Sequence, residues 1–209
     1  KAARKGIPVV VVKGGKFESG QRMLATGQGE SHPLEARELS ALFERFGFIE
    51  CDTHLEAIET LKLLIFSGRP LGKNLALCGE SKAKTLLAAD IAERLGLQLE
   101  PLPHFLVEEL QSSRIQSDHL GNPFILFTKD EDDDVDDSAA YEIFLSGTHH
   151  VAAKLVALPA EDDPKASKLY QNILSFAVAA ENQNIPCVLI NTSPHRLPAD
   201  VYQAIVKRG

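Results

Sequence analysis

The sequence predicts an α/β protein whose parallel sheets are wound by helices on both faces. Short, uninterrupted aliphatic runs, of which Ile7–Val12 "IPVVVV" is the first, read as strands buried on both faces. These runs alternate with longer stretches of helical period, the pattern of a parallel sheet with helical crossovers. Right-handed crossovers make such a sheet doubly wound. The alternation restarts after a turn-rich connector, Ser67–Lys73 "SGRPLGK", which divides the chain into residues 1–70 and 71–209.

In the first part, a glycine-rich polar stretch from Gly14 to Gly29 follows the opening strand and reads as a crossover loop. A helix is expected from about Leu34 to Phe46, with Leu39, Leu42, Phe43 and Phe46 on its apolar side and Gly47 as its stop. Phe48–Cys51 reads as a short strand, and "THLEAIETLKLLIF" as a second helix with Thr53 as its cap. Two strands and two helices are too few to bury both faces of a sheet. Either strands before Lys1 are absent, or this part leans on the second domain or on another chain.

The second part, about Leu71–Gly209, holds enough elements for a complete flavodoxin-like domain. Strands are expected at "NLALCG", "LQLEPL", "PFILFT", "HVAAKLVALP" and "PCVLIN". Helices are expected over Ser81–Leu95, His104–Ser112, the segment holding Tyr141, Ala166–Glu181 and Ala199–Lys207. Ser81 stands as cap of the first and Gly96 as its stop.

Composition narrows the function classes. The 209 residues are 44% hydrophobic and 24% charged, an ordinary globular balance able to bury a core without staples. A net charge of −7 and the lack of a basic stripe argue against nucleic acid as a partner. No apolar run approaches the ~20 residues of a membrane span. Cys51, Cys78 and Cys187 lie in or beside apolar runs and read as buried free thiols, which fits a reducing cytoplasm. The first residue is Lys, and no signal pattern follows, so the chain reads as a trimmed or processed fragment.

The stretch "KGGKFESGQRMLATGQGE" lies between a strand and a helix. Backbone amides in such a loop can cradle phosphate, and a helix N-terminus adds a favourable dipole. Lys13, Lys16 and Arg22 add positive charge, against the plainer reading of a flexible crossover. The acidic run Lys129–Asp137 lacks the glycine and terminal glutamate that a calcium loop needs, and reads as a solvated loop. His149 and His150 adjoin a strand start, where neighbours point to opposite faces and make a poor metal pair. Asp118 and His119 are expected in a loop. "NTSPH" at Asn191–His195 follows the last strand, where parallel sheets bind ligands, although an ordinary helix-capping turn is the favoured reading.

Taken together, "PVVVVKGGKFESG…ALFERFGFIECDTHLEAIE" resembles the second domain of acetyl-CoA synthetase (ADP-forming) and its relatives, the nucleoside-diphosphate-forming acyl-CoA synthetases of the succinyl-CoA synthetase superfamily. That family reads roughly K-x-G-[RK]-x-E-x-G, then S-H-T-G-A-L-A-G, a helix, and a later D-T/D-x-x-E. Lys13, Gly15, Lys16, Glu18 and Gly20 match the first part, and Phe43, Gly47, Asp52, Thr53 and Glu56 the later one. "NLALCGESKAKTLLAADIAERLGLQLEPL" and "GNPFILFT" resemble the family's next module.

The resemblance implies an acid–CoA ligase in which a histidine of S-H-T-G takes up phosphate and relays it, since a neutral imidazole nitrogen is nucleophilic near pH 7. That position falls at Gly27 counted from Lys13, or at Gln28 counted back from Phe43. His32 is the nearest histidine, beside Pro33. The family's S-G-G-P-G loop is "SKAKT" here, at Ser81–Thr85, with its glycines gone. The resemblance therefore implies a lost relay. It leaves Lys13, Gly15, Lys16, Gly20, Arg22, Gly29 and Ser81 as phosphate- or CoA-binding candidates. It implies CoA and ATP with Mg as substrates, and no metal or tightly bound cofactor. A CoA-binding domain and an ATP-grasp module or subunit are implied as partners, with homo-oligomerisation open. A non-catalytic CoA-binding or assembly module is the rival reading. A receiver or flavin domain is weaker, because the receiver aspartate pattern is not evident and flavin-stacking aromatics are scarce, with no Trp and three Tyr.

Overall fold

The computed structural model describes residues 5–25, 36–66, 72–113, 117–126, 138–147, 149–160, 163 and 166–206. The chain divides into two compact units, Lys1–Phe66 and Ser67–Gly209. The fold is flavodoxin-like and doubly wound, with an incomplete first sheet.

Unit 1 pairs β1 (Val10–Val12) in parallel with β2 (Ile49–Cys51). Between them run α1 (Glu18–Ala25) and α2 (Ala36–Phe46), and α3 (His54–Phe66) follows β2. The glycine-rich stretch is thus not all loop, as the sequence reading has it. Helix α1 forms inside it, with Arg22 reaching back one turn to Glu18 at 3.0 Å. Gly47 ends α2 in the left-handed region at φ +68°, which costs glycine little. Thr53 caps α3 through its hydroxyl, which accepts from Glu56 N–H at 3.1 Å, and Glu56 in return accepts from Asp52 N–H at 2.7 Å. This reciprocal pair is a close variant of the capping box. Among the described residues of unit 1 only Cys51 and Ala57 are buried, while Leu55, Ile58 and Ile65 are exposed along α3.

Unit 2 carries a five-stranded sheet in the order β4-β5-β3-β6-β7. The strands are β3 (Leu75–Gly79), β4 (Ser117–His119), β5 (Phe124–Leu126), β6 (Val151–Val156) and β7 (Cys187–Asn191). All pairings are parallel except β4 with β5. Helices α4 (Lys82–Arg94), α5 (His104–Ser112), α6 (Ser138–Leu145), α7 (Ala166–Asn182) and α8 (Ala199–Val206) connect and cover the strands.

Two expectations are corrected. "LQLEPL" contributes only one bridge, Gln98 to Asn74, because Pro101 has no amide hydrogen to donate and Pro103 already leads into α5. Asp118 and His119 lie in antiparallel edge strand β4 rather than a loop. An edge strand needs no apolar face, so its sequence "SDH" carries no strand signal.

Alternation along the strands builds two cores. Ala76, Cys78 and Ala152 face one layer with Phe124, Tyr141, Phe144 and Phe176. Leu75, Leu77, Ala153 and Leu155 face the other, against Ala92 of α4. On the β5 side, β3 pairs only through Cys78 and Gly79. Buried Asn122 completes the row: its amide oxygen accepts from Leu77 N–H at 3.0 Å, and its nitrogen donates to Leu75 O at 2.7 Å and Glu100 O at 3.1 Å. The "GNP" motif thus stands in for missing strand.

Candidate functional site

In unit 1 the two halves of the sequence motif meet. The loop after β1 turns at Gly15, φ +79°. A side chain at Gly20 would stand 2.9 Å from Gly15 Cα, so the two motif glycines pack backbone to backbone. This turn brings Lys16 onto β2, where its ammonium donates to Asp52 at 2.5 Å and pairs with Glu50 at 3.1 Å. Hydrogen bonds to Asp52 and then Glu50 hold the Lys16 pKa above the usual lysine value. The Ser40 hydroxyl and Lys16 hold the Glu50 carboxyl below the usual carboxylate range. Arg22 is paired with Glu18 and lies 3.4 Å from Ser19 Oγ on the exposed face of α1. Of the candidate cations, Lys16 and Arg22 are thus engaged by carboxylates. Gly27, Gln28, Gly29 and His32 lie outside the described residues, as does the acidic run 129–137.

In unit 2, successive strands depart to opposite sides of β3, so the order reverses between β3 and β6. Ligands of doubly wound sheets lie at the carboxyl ends of the strands beside such a reversal. Here that edge begins with Gly79, Glu80 and Ser81. A side chain at Gly79 would strike Thr85 Oγ1, which is fully buried and donates to Ser81 O at 2.8 Å. Ser81 holds the cap position of α4, yet its hydroxyl makes no capping bond. Lys84 donates to Thr192 at 3.0 Å. The "NTSPH" segment closes on the end of β6, with Thr192 bonded to Val156 O and Ser193 donating to Leu158 O at 2.7 Å. Asn191 donates to His195 O at 2.6 Å, tying the turn to itself.

Beneath this edge lies a group the sequence reading missed. Lys154 on β6 is fully buried, and its ammonium donates to Tyr141 Oη at 2.7 Å and lies 3.3 Å from Glu80. Tyr141 donates in turn to Asn172 on α7. The Lys154 ammonium also stands 4.8 Å from the Tyr141 ring centroid, a cation–π contact. Burial pushes the Tyr141 phenol well above its usual range, so it remains a neutral donor. Burial opposes the Lys154 charge, but the Glu80 carboxylate and the hydrogen bond to the neutral Tyr141 phenol favour it, and its pKa lies above the ordinary value. Cys187 nearby is pushed up to about 12 by burial and remains a thiol. The available signal was a lone lysine inside the apolar strand "HVAAKLVALP".

Among the described residues no cluster of three or more metal-ligating side chains occurs, and no helix is long and apolar enough to cross a membrane. No protein-family model and no curated protein matches the sequence. Among solved structures, the chain is similar to the dinucleotide-forming acetyl-coenzyme A synthetase 1 of Ca. Korarchaeum cryptofilum in complex with phosphate and ADP. The TM-score is 0.70, with 17% identity over 97% of this chain and 42% of that one. The apo form of the same protein gives 0.66 at 17% identity, with the same coverage of both chains. PH0766 of Pyrococcus horikoshii OT3 gives 0.65 at 16% identity, covering 97% of this chain and 41% of that one. The likeness is one of fold. The chain spans about two fifths of the length of each of these structures.

Proposed function

We propose that the chain is part of a nucleoside-diphosphate-forming acyl-CoA synthetase, or a subunit of one, whose intact form converts acid, CoA and ATP to acyl-CoA, ADP and phosphate. In this reading residues 1–70 are the C-terminal part of a succinyl-CoA synthetase-like domain and residues 71–209 are a second such domain. The observation that carries the reading is the Lys16–Asp52 contact, which joins two halves of a motif 36 residues apart in sequence. The fold shared with acetyl-coenzyme A synthetase 1 supports it.

The histidine relay is lost in this proposal, because neither Gly27 nor Gln28 can form a phosphohistidine. Lys13, Gly15, Gly20, Gly29 and Ser81 remain the phosphate- or CoA-contacting candidates. Lys16 and Arg22 contribute less net charge than their number suggests, being paired. A CoA-binding domain and an ATP-grasp module or subunit complete the enzyme, in the cytoplasm.

The second reading is a non-catalytic CoA- or acyl-CoA-binding or assembly module. It is favoured by the engagement of Lys84 with Thr192, which occupies a cation at the altered loop.

The test is incubation of the full-length protein with ATP, Mg²⁺, CoA and short-chain acids, scored for acid-labile protein phosphate and for acyl-CoA. Acyl-CoA without phosphoprotein is the outcome expected of a ligase lacking the relay. CoA binding with neither product supports the module. Phosphate on His32 overturns the relay-loss proposal.

A further inference from the structure

At the amino edge of the second sheet, His149 precedes β6 with both ring nitrogens sealed from solvent and, among the described residues, without a hydrogen-bond partner. A buried imidazole must hold at least one N–H, so each orphaned nitrogen is a polar atom desolvated at a cost. The seat is tight. A side chain at Gly147 would stand 2.9 Å from His149 Nε2 and 3.3 Å from Leu102 Cδ2. The Phe144 ring of α6 tilts over the imidazole with centroids 6.0 Å apart. Two backbone bonds close the same edge, from His150 N–H and Val151 N–H to Asn74 O, each 3.2 Å.

We propose that His149 is an acid-sensitive latch of the second unit: its neutral ring seals the amino edge of the sheet, and proton uptake opens that edge. A second proton would place a charge among Phe144, Leu102 and Gly147, where no described residue offers an acceptor within hydrogen-bond distance. Two titratable groups bear on the ring: Glu100 favours protonation, and His150 opposes it. The ring contact from α6 is an uncharged phenyl. Burial outweighs Glu100 and holds the His149 pKa below the ordinary 6.5.

The sign follows. Well above pH 6.5 the ring is neutral in both folded and unfolded chains, and its burial places no pH-dependent penalty on folding. As the pH falls below 6.5 the unfolded chain takes up a proton that the folded chain refuses. Stability is lost until the pH passes the lowered folded value.

The test uses the full chain. Imidazole NMR titration of the wild type is expected to place the His149 midpoint below 6.5, and a midpoint at or above 6.5 overturns the proposal. In urea unfolding between pH 7.5 and 5, the wild-type folding constant is expected to fall faster than that of His149→Phe, by up to about tenfold per pH unit. Parallel curves overturn the latch. Should His149→Phe not fold, His149→Gln removes the same titration. Amide exchange of His150 and Val151, compared with Leu77 and Ala153 in mid-sheet, locates the opening. Lower protection factors, corrected for the intrinsic pH dependence of exchange and confined to the edge at pH 5.5, are expected, and equal loss across the sheet overturns the latch.

Discussion

Lys154 holds its place because each of its contacts answers a cost of burial. Tyr141 accepts one of its hydrogens, and Glu80 supplies the opposite charge. The partners are unequally exposed, since Lys154 is fully buried and the Glu80 side chain is 22% exposed. Removing the lysine leaves a carboxylate with its facing oxygen sealed but its side chain partly open to water; removing the carboxylate leaves a fully buried cation. Lys154→Met is therefore expected to cost less stability than Glu80→Gln, which strands the charge at about 2–3 kcal/mol after allowance for the exposure of Glu80. Lys154→Ala adds a cavity and is expected to cost about 3–5 kcal/mol. Urea unfolding followed by circular dichroism ranks the three; Lys154→Met as costly as Lys154→Ala would show that the charge, not the packing, matters most. None of this is legible from a single lysine in a strand. Its register opposite Cys78 and the arrival of Tyr141 and Glu80 come from segments far apart in sequence.

Single elements were the most legible level, and their failures have local causes. His104–Ser112 is the helix its period announces, and α7 and β7 fall where their apolar runs lie. Helix α1 was missed because its glycine and serine read as loop, while its stabilising Glu18–Arg22 pair lies one turn apart within the motif. "LQLEPL" was overread because short apolar alternation does not reveal whether a partner strand is free to pair. Asn122 shows the converse. A polar residue between glycine and proline reads as a turn, yet its side chain supplies three bonds to backbone, two of them to buried groups of β3. Asn122→Ala leaves those groups unpaired and is expected to cost about 2–4 kcal/mol. Asn122→Asp keeps the acceptor for Leu77 but loses both donors, and is expected to be no milder. Differential scanning calorimetry of the two variants checks this; a loss under 1 kcal/mol for Asn122→Ala would mean that water replaces the side chain.

The whole molecule joins two units of unequal cores. Unit 2 buries aromatic and aliphatic side chains on both faces of its sheet, whereas only Cys51 and Ala57 are buried among the described residues of unit 1. Hydrophobic stabilisation scales with the apolar area removed from water, so the first unit is expected to open at lower urea. Proteolysis across a urea series should therefore cut within residues 1–66 before residues 67–209, and one shared transition would show that the units stabilise each other. The sequence alone determined the alternation of strands and helices, the connector near residue 67, the incomplete first unit and the non-histidine residues at Gly27 and Gln28. Those follow from local chemistry: side-chain period, glycine and proline, and residue identity. Tertiary structure alone decided that Lys16 meets Asp52, that Lys154 lies beneath the reversal of strand order, and that the His149 ring nitrogens have no hydrogen-bond partner among the described residues. Each of these depends on long-range contacts between segments, where spacing in sequence carries no record of distance in space.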